Sequence, residues 1–149
     1  MDNGKVVQAS DYCCLYQNVR ALVALNNKYN DGIFEWDVIV EKVDKDCDTI
    51  YIGVCASADF DREDADEWVL KSNGICLNDQ LVETKYCPTF GEGAKITVHL
   101  DMNNKTCVFT INGKGYPIVS NWNNLPSELH PVVSLRTSGR LRIQPHQKS

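Results

Sequence analysis

The side chains in this sequence able to do chemistry are seven cysteines, three histidines and a dense run of carboxylates. Cys13, Cys14, Cys47, Cys55, Cys76, Cys87 and Cys107 are odd in number, no two form a C-x-x-C pair, and His99, His130 and His146 are scattered. A structural zinc site wants closely spaced thiolate or imidazole ligands on turns, and this spacing supplies none. Reduced thiols acting as small apolar residues fit the pattern. Cys13 and Cys14 are adjacent, and neighbouring side chains on a strand point to opposite faces, which disfavours a bond between them. Nucleophilic catalysis needs a Cys or Ser beside an oriented His, and no G-x-S-x-G or comparable signature is present. No catalytic residue, metal-ligand set or cofactor motif is therefore expected.

The densest charge is Asp59-Phe60-Asp61-Arg62-Glu63-Asp64-Ala65-Asp66-Glu67, six carboxylates and one Arg ahead of Trp68. The plainest reading is a solvated loop that keeps a β-rich chain soluble. A second is a steering patch for a basic or amide-rich partner segment. A third is calcium, which wants about six to eight oxygens, but the Gly and spacing of an EF-hand loop are absent. Glu35, Asp37 and Glu41 also share one strand face at alternating positions. Two carboxylates about 5–9.5 Å apart across a cleft would suit glycoside hydrolysis, yet these three read more simply as the outward side of one amphipathic strand. His99 has the outward parity of its own segment and reads as a solvated histidine. The sequon Asn104-Lys105-Thr106 reads as idle without a secretion signal.

What must position these groups is a chain of 149 residues with formal net charge -5 and ordinary apolar content, the size of one domain with one core. An excess of acids argues against general phosphate-backbone binding, so nucleic acid is not an expected partner. No apolar run approaches the roughly 20 residues that cross a bilayer, and Met1-Asp2-Asn3-Gly4-Lys5 lacks a signal peptide's basic start and apolar middle. The expectation is a cytoplasmic or nuclear protein with no membrane partner.

Period-two alternation recurs along the chain and helical periodicity is nearly absent. Phe34, Trp36, Val38 and Val40 alternate with Glu35, Asp37, Ile39 and Glu41; Ile50, Ile52, Val54 and Ala56 repeat the pattern; Ile96, Val98, Leu100 and Met102 alternate with Lys95, Thr97, His99 and Asp101. After Asn103-Asn104-Lys105 the run Cys107, Phe109, Ile111 resumes, which predicts a hairpin, and Asn112-Gly113-Lys114-Gly115 ends it in turn residues. Val19 to Leu25, Trp68 to Lys71, Pro131 to Leu135 and Arg140 to Gln144 are further strand candidates. Short strands without intervening helices predict an all-β, two-layer antiparallel β-sandwich with its loops at the rims. One domain over 1–149 is expected, with a core over about 11–145 and ragged ends at Met1 to Ala9 and His146 to Ser149.

Several of these segments together resemble one family. Gly32-Ile33-Phe34-Glu35-Trp36-Asp37-Val38 is similar to the early SPRY motif, with Glu35 where the family has an aromatic. Ile52-Gly53-Val54, Trp68 and Ser72-Asn73-Gly74 resemble its next strand, central Trp and Gly-bearing turn. Leu100-Asp101-Met102-Asn103-Asn104-Lys105-Thr106, Phe109 and Asn112-Gly113 keep the spacing of its later run, with Lys105 in place of a Gly. Trp122, Leu125 and Leu129-His130-Pro131-Val132-Val133-Ser134-Leu135 resemble its last segments, with His130 in place of a Tyr. The likeness spans about Val19 to Ile143, and many spaced motifs in one order are more specific than any short pattern.

The resemblance implies a concanavalin-like jelly roll that serves as a protein-interaction module. In the family, partner peptides lie on loops at one rim. Carried over by position, that surface comprises Ala56, Ser57 and Asp59, with Asp61 of the acidic loop, and Arg136, Thr137 and Ser138 before the last strand. Arg136 and Thr137 stand where one relative has a large apolar anchor, so a different ligand is expected. Trp36 and Trp68 read as core; Trp122, flanked by Asn121, Asn123 and Asn124, reads as core or as a partly exposed anchor. The expected function is non-catalytic recognition of a peptide segment or protein surface by a monomer, without cofactor. A lectin-like carbohydrate-binding module and a hydrolase on a similar sandwich are the alternatives.

Overall fold

The structure, a computed structural model, describes residues 5–8, 32–42, 50–56, 66–80, 82–126, 129–135 and 139–146. The described residues contain eleven strands and no helix: β1 (Lys5–Gln8), β2 (Ile33–Lys42), β3 (Ile50–Cys55), β4 (Glu67–Lys71), β5 (Ile75–Leu77), β6 (Glu83–Lys85), β7 (Lys95–Asp101), β8 (Thr106–Ile111), β9 (Lys114–Gly115), β10 (His130–Leu135) and β11 (Arg140–Pro145). They form two antiparallel sheets. Sheet A runs β1-β11-β2-β7-β8-β9 and sheet B runs β10-β3-β4-β5-β6.

Alternation does what its period requires. In β2, Trp36, Val38 and Val40 are fully buried, and β7, β8 and β11 add Ile96, Val98, Leu100, Cys107, Phe109, Ile111, Leu141 and Ile143 to the same layer. Sheet B answers with Ile50, Ile52, Val54, Trp68, Leu70, Cys76 and Val133. The two inner faces interdigitate into one core, which Phe90, Val119, Trp122 and Leu125 close from the connections. The outer face of sheet B is apolar as well, with Cys55, Val69 and Val132 buried beside Tyr51 and Leu77.

The predicted hairpin joins β7 to β8, with Asp101 opposite Thr106. The Asp101 carboxylate accepts from the Asn103 and Asn104 N–H groups and from Asn104 Nδ2, at 2.9–3.1 Å, and these bonds hold its carboxyl below the usual range. Lys105 closes that turn at φ 55, a left-handed position, where the family pattern has Gly. Asn112 (φ 52) and Gly113 (φ 84) form the two-residue turn between Ile111 and Lys114, the mirror-image geometry that matches strand twist.

Two expectations change, and one lies outside the described residues. Lys5–Gln8 pairs with β11 as the outer strand of sheet A, where a ragged end was expected. Its four residues are too short a run to signal a strand alone. Gly115 belongs to the short strand β9, and β5 and β6, three residues each, add a hairpin that alternation did not reveal. The candidate strand Val19 to Leu25 lies outside the described residues.

Candidate partner-binding surfaces at the two ends of the sandwich

Register decides which connections can act together. β10 pairs with β3 so that His130 faces Cys55 and Leu135 faces Ile50. Ala56 follows Cys55 and is partly buried, its N–H bonded to Asp66 O at 2.9 Å. Arg136 follows Leu135, at the far end of the same strand pair. Five residue steps separate the two ends, about 17 Å at strand rise. Ser57, Asp59, Asp61, Arg136, Thr137 and Ser138 themselves lie outside the described residues. The strands that flank them nonetheless leave the sandwich at opposite ends, so the register does not gather the two groups onto one rim.

At the Cys55 end, amide side chains tie the connection after β9 to the β5–β6 hairpin. Trp122 Nε1 donates to Leu77 O at 2.9 Å, Asn121 Nδ2 to Val82 O at 2.9 Å, and Asn78 Nδ2 to Asn121 O at 3.3 Å. Trp68 Nε1 donates to Asn124 Oδ1 at 3.2 Å, and Asn124 Nδ2 to Asp79 Oδ2 at 3.0 Å. Trp122 is 2% exposed, so it is core and not an exposed anchor. Two of the asparagines that suggested exposure, Asn121 and Asn124, fasten the connection that carries it.

At the Ile50 end, the connections are held mainly by backbone. Gly74 N–H donates to Lys71 O at 2.9 Å, Gly74 O accepts from Tyr86 and Cys87, Phe90 N–H donates to Ser72 O at 2.9 Å, and Gly93 N–H reaches Val40 O at 2.8 Å. Gly74 is required: its φ is 88, and a Cβ there would sit 1.8 Å from Cys87 O. Because the 86–94 connection bonds both Ser72 and Val40, the ends of both sheets are fixed against each other on this side.

Charge divides the two ends. Around the Ile50 end the described residues place Lys42, Lys71, Lys85, Lys95, Lys114, Arg140 and Arg142 against Glu41, Glu92 and Asp37, the last paired with Lys95. Around the Cys55 end they place Asp66, Glu67, Asp79, Glu83 and Asp101 against Lys105. This segregation was not foreseen. Its members lie up to a hundred residues apart, and only strand order unites them.

The outer face of sheet A carries the carboxylates that suggested a hydrolase, and each is tied into cross-strand bonds. Asp37 is fully buried, accepting from Thr97 Oγ1 at 2.6 Å and bonding His146 Nδ1 at 2.9 Å, with Lys95 Nζ at 3.6 Å. Glu35 meets His99 Nδ1, and His99 Nε2 meets Thr110 Oγ1 at 2.8 Å. His99 is therefore held on both ring nitrogens and is not the freely solvated residue its parity suggested. Glu41 binds Arg142 Nε at 2.8 Å and Arg140 Nε at 3.0 Å; the hydrogen bond from Arg142 chiefly holds its carboxyl below the ordinary range. Cys55, Cys76, Cys87 and Cys107 are buried free thiols, and burial pushes the last three upward in pKa, away from reactive thiolate. Among the described residues no group of three or more His, Cys, Asp or Glu is placed to hold a metal ion. No helix among them is long and apolar enough to cross a membrane.

Comparison with known proteins agrees with this architecture. No curated protein matches the chain. The crystal structure of the SPRY domain of human HERC1 superposes with TM-score 0.71 at 19% identity, over 99% of this chain and 92% of that one. A second crystal structure, of a human SPRY domain, gives TM-score 0.69 at 12% identity over 100% and 96%. Identities this low show a shared fold. The SPRY domain family model matches residues 33–146, most of the chain and nearly every strand of both sheets, and the chain belongs to the SPRY domain family.

Proposed function

We propose that this SPRY domain is a non-catalytic module that binds a partner protein through the connections at the Ile50 end of the sandwich. Protein interaction is the general role of the family, and the choice of end rests on one observation, the β10–β3 register. The connection carrying Arg136, Thr137 and Ser138 leaves β10 at Leu135, opposite Ile50. The Ser72–Gly74 turn and the 86–94 connection belong to that same end and are already locked by backbone bonds. Loops held in place before binding lose little freedom on contact, which favours recognition by a few anchors. At the Cys55 end, amide side chains are already used to fasten the scaffold. The reading includes a monomer without cofactor, inside the cell; the free buried thiols support a reducing compartment.

The test is affinity capture from cell extract with the intact domain, with Arg136→Ala/Thr137→Ala, and with Asp59→Asn/Asp61→Asn. The first variant is expected to lose the captured partners and the second to keep them. Retention by the first together with loss by the second would move the binding surface to the opposite end.

A further inference from the structure

We infer that Asn112 is a self-modifying site: its side-chain amide is lost to the following peptide nitrogen, and the residue converts to aspartate and isoaspartate, wherever a partner binds. Asparagine is among the heat-labile side chains. A glycine after it, having no Cβ, leaves the attacking nitrogen uncrowded. The sequence holds three such pairs, Asn3-Gly4, Asn73-Gly74 and Asn112-Gly113. The first lies outside the described residues. Sequence alone gives the other two equal chemistry; their surroundings do not.

Asn73-Gly74 is locked. Gly74 is buried, its N–H donates to Lys71 O at 2.9 Å, its carbonyl accepts from Tyr86 and Cys87, and a Cβ there would sit 1.8 Å from Cys87 O. The nitrogen that must attack is committed to another bond, with backbone packed against it. Asn73 Oδ1 is held as well, accepting from Ile75 N–H at 3.1 Å. Asn112-Gly113 is open. Both residues are exposed, nothing lies within 4 Å of the place a Gly113 Cβ would take, and among the described residues the Gly113 N–H has no partner. Asn112 Oδ1 accepts from Lys95 N–H at 2.9 Å, a donor placed on the oxygen where negative charge gathers as Cγ is attacked. In the step, base removes the Gly113 amide proton, a bond forms from that nitrogen to Asn112 Cγ, the Cγ–Nδ2 bond breaks and ammonia leaves with the proton. Water then opens the cyclic imide: cleavage at Cγ gives aspartate, and cleavage at the main-chain carbonyl gives isoaspartate. Nothing is oxidised or reduced, and water and base are the only co-reactants. Isoaspartate threads the main chain through the former side chain, so the acceptor facing Lys95 N–H is lost and the turn between β8 and β9 loosens from β7.

The experiment incubates the intact domain in mildly alkaline buffer, folded and in urea, and follows its tryptic peptides by mass spectrometry. Residues 106–114 carry Asn112 as their one asparagine, and residues 72–85 carry Asn73, located by fragmentation. In the folded domain the NH2-to-OH mass shift is expected at Asn112 about tenfold or more ahead of Asn73, because attack at Asn73 waits on local opening. In urea the two sites are expected to convert at matching rates. Asn112→Gly, which tolerates the left-handed backbone at φ 52, is expected to abolish the shift in its peptide and leave Asn73 at its wild-type rate. Hydrogen exchange at the Lys95 amide is expected to quicken in the aged wild-type domain. Asn73 keeping pace with Asn112 in the folded domain, an Asn112 that converts only in urea, or an unchanged Lys95 amide after conversion would overturn the inference.

Discussion

Asp37 is the residue whose chemistry least matches its place in the alternation. Its parity puts it on the outer face of sheet A, yet it is fully buried beneath Lys95, Thr97 and His146. Asp37→Ala would leave the Thr97 hydroxyl and the His146 ring without their acceptor, and about 2–3 kcal/mol of stability is expected to go with it. Asp37→Asn, which keeps an acceptor oxygen, is expected to lose less. Urea unfolding of both variants checks this, and equal midpoints for wild type and Asp37→Ala would refute it. Parity was legible in the sequence; burial was not, because it depends on side chains 58 to 109 positions away (Lys95 and His146) that reach Asp37 only after β7 and β11 dock beside β2. Lys105 is the converse case. The family pattern has Gly there, and φ 55 supplies the physical reason. Lys105→Gly is expected to stabilise the domain by about 1 kcal/mol by relieving a left-handed backbone at a non-glycine residue, readable as a higher urea midpoint.

Among the elements, those with long alternation were legible and those held by their neighbours were not. β2, β3, β7 and β8 carry six to ten residues of period-two pattern and stand where expected. β5 and β6 have three residues each, too few for a period, and exist because Leu70 pairs with Cys76 and Ile75 with Lys85. The connection Tyr116–Leu125 has no ladder of its own. It is fastened by Trp122 Nε1 to Leu77 O and by Asn121 Nδ2 to Val82 O, while Tyr86 Oη donates to Pro117 O at 2.6 Å. Asn121→Ala removes one of these clamps and is expected to cost about 1 kcal/mol. Hydrogen exchange is expected to quicken in residues 117–125 and leave β2 and β7 unchanged. Uniform acceleration throughout the sandwich would contradict the picture of a separately fastened connection.

For the whole molecule, the sandwich and its family were legible because motif order survives many substitutions, whereas the partner surface depends on strand register, which a linear sequence does not display. Ala56 to Asp61 and Arg136 to Ser138 were brought together by analogy of position, and strand register sends their flanks to opposite ends. The same register sorts cations to one end and carboxylates to the other, a pattern with no signature in a linear sequence. A rigid body with two chemically different ends binds differently at each, and the account assigns the partner to the Ile50 end. The most direct measurement is hydrogen exchange of the domain with and without a captured partner. The account predicts slowed exchange in Ser72–Gly74, in residues 86–94 and in the β10–β11 connection, with the strands unchanged. Slowing confined to residues 78–82 and 116–126, or spread over an outer sheet face, would contradict it.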